Sequence, residues 1–219
     1  MESVKLPITK HWLFDFDGTL VDSMPYWSNA MISVLDSHGV KYGEDIIKII
    51  TPLGNLGTAK YYRSIGCPLT DEEFLERKDA YLTSEYRDNI PAKESAKETL
   101  IKMKERGDSL NVLTASAHSN LDPCLKRLGL FDLFDNVWSC DDFNTTKTDP
   151  NIYRLAADRL GKTVGEVIFV DDNLEADKTA KAAGMTVYGI YDESSKDYIE
   201  AIKAIADGYA YLFSDLLTL

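Results

Sequence analysis

Long apolar runs are missing from this 219-residue chain. No stretch approaches the roughly 18 apolar residues that a membrane-spanning helix needs. The N-terminal Met1-Glu2-Ser3-Val4-Lys5-Leu6-Pro7 lacks the apolar core of a secretory leader. Cysteine is scarce too. Cys67, Cys124 and Cys140 are odd in number and widely spaced, which excludes a disulfide framework and paired metal-ligand motifs. Buried, reduced thiols in a cytoplasmic protein are the expectation. Positive charge is also in short supply. Lys and Arg number 24 against 36 Asp and Glu, a net charge of −12. Such a surface repels nucleic acid and anionic membranes, so neither is an expected partner. An anionic substrate then needs a local positive site, such as a metal ion.

What is present is the composition of an ordinary globule, with 44% hydrophobic and 27% charged residues. Strand-like runs alternate with helical ones, which predicts an α/β fold, a doubly wound parallel sheet with crossover helices. The strands are expected at Trp12 to Phe16, Leu110 to Thr114, Val137 to Ser139, Val167 to Val170 and Met185 to Ile190. The fourth is apolar throughout, as a strand buried on both faces should be. Helices are expected at Ala92 to Arg106, Pro150 to Leu160 and Asn173 to Ala183, each followed by a glycine. Residues 22–90 break the alternation. They read as four helices, near Pro25 to Ser37, Glu44 to Ile50, Thr58 to Ile65 and Thr70 to Tyr86, with loops marked by Gly54, Gly57, Gly66 and Pro68. The expected organisation is a core of residues 1–21 and 91–219 with an inserted helical domain, 22–90.

Four segments carry chemistry. Asp15-Phe16-Asp17-Gly18-Thr19-Leu20 follows the apolar run Trp12-Leu13-Phe14 and delivers two carboxylates to a strand end. On a continuing strand those two side chains point the same way. Open α/β sheets place active sites at such carboxyl ends. Thr114, followed by the small residues Ala115 and Ser116, offers a hydroxyl and free backbone N–H groups to phosphate oxygens. Lys147 precedes a helix start at Pro150 and can meet an anion as a point charge. Asp171-Asp172 closes the all-apolar strand, and carboxylate oxygens are hard ligands suited to Mg²⁺. The fold is expected to bring Asp15, Asp17, Asp171 and Asp172 together. Two like charges ~4 Å apart repel by about 4 kcal/mol at an effective dielectric of ~20, so the cluster calls for a cation.

Taken in order, these four segments resemble the motifs of the haloacid dehalogenase superfamily, over about Trp12 to Val187. The nearest branch is that of the phosphoglycolate phosphatase-like and β-phosphoglucomutase-like enzymes, in which a helical cap follows the first motif. The resemblance implies a Mg²⁺-dependent phosphatase of a small phosphorylated metabolite, working through an aspartyl-phosphate. Asp15 is then the nucleophile and Asp17 the general acid and base. Thr114, Ala115 and Lys147 hold the phosphoryl group. Asp15, the Asp17 backbone carbonyl and Asp172 hold Mg²⁺, with Asp171 supporting them from behind. Dehalogenases of the superfamily lack an aspartate at the position of Asp17, which favours phosphoryl transfer. The alternatives are a sugar-phosphate mutase, which needs cap cations such as Lys60 and Arg63, and a non-enzymatic phosphometabolite-binding protein.

Weaker candidates each have a plainer reading. Tyr26 could face substrate or pack in the core, and Ser116 could touch ligand. Asp22 and Ser23 could line the site or cap the next helix. His118 reads as a surface residue, and Gly54-Asn55-Leu56-Gly57 as an inter-helix turn. The apolar tail Tyr209 to Phe213 is expected to pack on the core.

Overall fold

The computed structural model describes residues 9–218. The chain divides into two compact units, Ser23–Ile90 on one side and Pro91–Leu219 with the segment ending at Asp22 on the other. In the larger unit six strands form one sheet: β1 (His11–Phe14), β2 (Ser109–Thr114), β3 (Asn136–Ser139), β4 (Val167–Asp171), β5 (Thr186–Ile190) and β6 (Gly208–Ala210). Their spatial order is β3-β2-β1-β4-β5-β6, and every pairing is parallel. The helices of this unit are α5 (Ala96–Glu105), α6 (His118–Leu128), α7 (Asn151–Arg159), α8 (Leu174–Ala183) and α9 (Ile199–Ile205); those of the smaller unit are α1 (Met24–Asp36), α2 (Ile46–Ile50), α3 (Gly54–Ser64) and α4 (Asp71–Asp88).

Side-chain alternation along β1 feeds two core layers. Leu13 pairs in register with Asn111 and Phe169. With Phe169 and Val187 it packs against Ile152, Tyr153 and Ala180 of α7 and α8. Phe14 faces the other way, stacking on Phe213 at 5.6 Å between ring centroids and meeting Phe134 edge-on at 6.4 Å. Trp12 shares that side and donates its indole N–H to Asp108 at 3.0 Å. Phe213 thus packs on the core, and the tail before it adds β6. That three-residue edge strand was not foreseen, because Gly208-Tyr209-Ala210 is too short to show a pattern.

Strand order reverses between β1 and β4, and the carboxyl ends of these neighbours form a topological switch point. β1 stops at Phe14, two residues before the expected end. Beyond Asp15 the chain turns sharply: the N–H groups of Leu20 and Val21 both donate to the Phe16 carbonyl, at 2.9 and 3.1 Å, and Gly18 takes φ +77°. Asp15 and Asp17 therefore do not share one face of a continuing strand. Further differences concern helices, and α9 was not among those expected. α6 was not anticipated, although Leu121, Cys124 and Leu125 line one buried face at helical spacing, because its polar start and internal Pro123 mask the period. Gly54 and Gly57 lie in α3 rather than in a turn. Gly54 enters that helix at φ +62°.

The smaller unit has its own core, in which Val34, Leu35, Ile46, Ile50, Tyr62 and Phe74 are buried together. Thr70 and Glu73 form a capping box at the start of α4. Ser23 takes the N-cap position of α1, but its buried hydroxyl makes no capping bond. All three cysteines are buried and unbridged. Among the described residues, no helix is long and apolar enough to cross a membrane.

Candidate active site

The site forms where β1 and β4 end side by side. Asp15 stays in the sheet for one residue past β1, its N–H donating to the Val170 carbonyl at 2.9 Å, so its carboxylate emerges beside the end of β4. Asp171 closes β4 and is fully buried; its Oδ1 accepts from the Asn173 N–H at 2.8 Å. Asn173 in turn caps α8, accepting from the N–H groups of Glu175 and Ala176 at 3.0 and 3.2 Å. Asp172 Oδ1 accepts from Thr19 Oγ1 at 3.2 Å, tying the turn after β1 to the end of β4. Gly18 sits directly against that carboxylate.

Lys147 is the cation of the site. Its Nζ lies 2.6 Å from Asp15 Oδ1 and 2.7 Å from Asp171 Oδ2. Tyr153, from the first turn of α7, holds the lysine backbone by donating to the Lys147 carbonyl at 3.1 Å. Oxygens of Asp15, Asp171 and Asp172 all fall within 4.8 Å of one another, and all three residues are buried. Three acids facing one ammonium leave an excess of negative charge. Burial first, then the neighbouring Asp171 and Asp17, push the Asp15 carboxyl up to about 7, against the pull of Lys147. Burial and the Asp171 and Asp15 charges raise Asp172 well above the carboxylate range. Burial works to lower Lys147, but Asp15 and Asp171 outweigh it and hold the ammonium charged. A compact set of hard oxygen donors with surplus negative charge fits a divalent metal ion.

Thr114 ends β2 and is buried, its Oγ1 accepting from the Ser116 N–H at 3.0 Å. Ser116 Oγ donates to Asp17 Oδ2 at 2.5 Å. The loop after β2 thereby orients the second acid of the first motif, with Ala115 exposed at its tip. Asp17 contributes no carboxylate oxygen to the three-acid cluster. Sequence reasoning missed several supports: Thr19 on Asp172, Tyr153 behind Lys147, and Asp177. Asp177 is buried on α8 with no hydrogen-bond partner among the described residues for either carboxylate oxygen, and burial and Asp171 push it up. Only its position, one turn after the capping Asn173, could have drawn attention to it.

The weaker candidates scatter. Tyr26 lies half-buried on α1. His118 opens α6 and bridges Asp122 at 2.8 Å and Asp142 at 2.9 Å. Arg63 is ion-paired with Asp71, and Lys60 is exposed on α3. Asp22 donates its N–H to the Pro91 carbonyl at 3.0 Å and approaches Lys93 at 3.9 Å, a structural tie at the foot of the insertion.

The family model described as haloacid dehalogenase-like hydrolase matches residues 12–190. Pyrophosphatase PpaX of Bacillus velezensis is 29% identical over 180 residues, covering 81% of each chain. A phosphoglycolate phosphatase of Pectobacterium atrosepticum is 28% identical over 213 residues, covering 94% of this chain and 90% of its own. Among solved structures, CbbY of Rhodobacter sphaeroides in complex with xylulose-1,5-bisphosphate superposes with a TM-score of 0.76 at 21% identity, covering 95% of this chain and 96% of its own. At that identity the likeness shows the fold alone.

Proposed function

We propose that this chain, which belongs to the haloacid dehalogenase-like hydrolase family, is a Mg²⁺-dependent phosphatase of a small phosphorylated metabolite. The observation that carries this reading is Lys147 held between Asp15 and Asp171 at 2.6 and 2.7 Å, beside Asp172, at the junction of β1 and β4. The names of the related phosphatases point the same way. In this reading residues 23–90 are a helical cap.

Asp15 is the nucleophile. One of its carboxylate oxygens bonds to phosphorus as the ester P–O bond breaks, forming an aspartyl-phosphate. Asp17, oriented by Ser116, gives a proton to the departing alkoxide oxygen. In the second step Asp17 takes a proton from water, the water oxygen bonds to phosphorus, and the P–O bond to Asp15 breaks. Phosphate leaves and both acids return to their starting states. Lys147 balances charge on the phosphoryl oxygens throughout, and the Thr114 hydroxyl with the N–H groups of the Ala115 loop completes their cradle. Asp15, Asp172 and the Asp17 backbone carbonyl would hold Mg²⁺, with Asp171 fixing Lys147 from behind. A bound Mg²⁺ supplies the charge screening that lets a carboxylate approach an anionic ester.

The test is phosphate release from a panel of phosphomonoesters with Mg²⁺, with EDTA, and with Asp15→Asn protein. Release by the wild-type protein with Mg²⁺ alone is expected. Mg²⁺-dependent turnover retained by Asp15→Asn protein, purified free of host phosphatases, would overturn the nucleophile.

A further inference from the structure

Beside the three-acid cluster, the larger unit buries a further ion pair. Asp192 lies two residues beyond the end of β5 and is 2% exposed. Its Oδ1 accepts from the Ser194 N–H at 2.8 Å, and its Oδ2 pairs with the Lys93 ammonium. The two residues stand 99 positions apart in the chain. Lys93 Nζ is also 3.9 Å from Asp22. A buried carboxylate is costly unless it is paired and hydrogen-bonded. Asp192 therefore fixes where the Lys93 side chain ends. It also stands near the acids that close β4: its charge joins burial and the Asp171 and Asp15 charges in raising Asp172.

Lys93 belongs to a short backbone ribbon that holds the turn after Asp15. The Lys93 N–H donates to the Leu20 carbonyl at 2.9 Å, and the Asp22 N–H to the Pro91 carbonyl at 3.0 Å. Between those bonds Val21 pairs antiparallel with Ala92, and it also pairs parallel with Asp17. The Gly18 N–H closes the turn on the Val21 carbonyl at 3.0 Å. Contacts thus run from Asp192 through Lys93 and Val21 to the backbone of Asp17, all within the larger unit. We propose that Asp192 is a positioning residue: through Lys93 it sets the place of the turn that carries Asp17. The role of Asp17 as general acid rests on the phosphatase reading above. Ser116 aims the Asp17 carboxylate from the end of β2, but it can aim only a side chain whose backbone already stands in place. A misplacement of about 1 Å, caused far from the chemistry, can cost on the order of 10²-fold in rate. Loosening one ion pair behind the turn is therefore enough to be read in kinetics.

Two measurements test the inference and separate its failure from that of the catalytic reading. The first uses the leaving group. An alkoxide needs the proton that Asp17 gives, whereas 4-nitrophenolate departs without one. The ratio kcat/KM reports the steps up to departure of the alcohol, so the later general-base step does not enter it. In Asp192→Asn protein, kcat/KM for glycerol 1-phosphate is expected to fall at least about tenfold, part of the roughly 10²- to 10⁴-fold that a general acid contributes. For 4-nitrophenyl phosphate the fall is expected to stay below about threefold. Should that variant not fold, Lys93→Met/Asp192→Asn removes both charges, leaves neither buried without a partner, and is expected to show the same selective loss. The second measurement needs no catalysis. In ¹⁵N-glycine-labelled protein, Asp192→Asn is expected to move the Gly18 amide signal and to leave Gly107 and Gly161 in place. A loss of equal size on the two esters, full activity on both, or an unmoved Gly18 signal would overturn the inference. No phosphate release from either ester by the wild-type protein would overturn the phosphatase reading instead, and the Gly18 signal then decides alone whether Asp192 sets the turn.

Discussion

Gly18 and Asp172 are packed so closely that a Cβ on the glycine would stand 2.6 Å from Asp172 Oδ1 and 2.8 Å from its carboxyl carbon. The turn that follows the first acid therefore rests against the last acid of the site. The same glycine holds φ +77°, a conformation costly for other residues. Gly18→Ala must displace the carboxylate or the turn. We expect at least a hundredfold loss of kcat/KM for phosphate release and a stability loss of roughly 1–2 kcal/mol, read by steady-state kinetics and thermal melting. Near-normal activity would show that Asp172 need not stay where it is.

Lys147 separates Asp15 from Asp171 and is largely buried. Lys147→Met keeps most of the side-chain volume and removes the charge, leaving two buried carboxylates without a counter-ion. Removing one partner of a buried ion pair costs about 3–5 kcal/mol. A lowering of that order is expected in denaturant titrations carried out in EDTA, together with loss of turnover. An unchanged unfolding midpoint would mean that the burial of the two acids does not depend on this lysine.

Asp172→Asn gives a crossed pattern. Without metal, the substitution removes one of three mutually repelling acids while its side-chain oxygen can still accept from Thr19. The variant is then expected to melt above the wild-type protein in EDTA. With Mg²⁺ the order reverses, because the wild-type site gains binding energy that the variant has lost. At 100 times Kd a ligand adds about 2.7 kcal/mol, which for a protein of this size is a rise of roughly 5–10 °C. Equal responses to Mg²⁺ in the two proteins would move the metal away from Asp172.

The sheet was legible because its strands are what a parallel sheet demands: apolar segments such as Val167 to Val170, separated by helical stretches ending in Gly107, Gly161 and Gly184. The acids were legible because each follows such a strand. The turn after Asp15 was not. The reversal at Phe16 depends on hydrogen bonds closed by Leu20 and Val21, and strand patterning alone does not show where the ladder stops. Lys147 announced itself by order along the chain, yet its position between two carboxylates is a tertiary fact. The pocket that α1, α2 and α3 line in the smaller unit had no signal at all, because packing alone leaves the space between those helices.

His118 supplies a pH signature separate from catalysis. The carboxylates of Asp122, first, and Asp142 raise its imidazole above the ordinary value of 6.5. The folded protein therefore holds the proton more tightly than the unfolded chain. The stabilisation is fully present below pH 6.5 and is lost as pH rises through the higher folded value. His118→Gln removes the charge and with it this dependence. The difference in melting temperature between wild-type and His118→Gln proteins is thus expected to be largest in mildly acid buffer and to shrink as pH rises toward 9. High salt should reduce it at every pH, because the ring is partly exposed and its ion pairs are screened. A difference that grows with rising pH would have the wrong sign for an imidazolium held by two carboxylates, and would show that the neutral ring is the stabilising form.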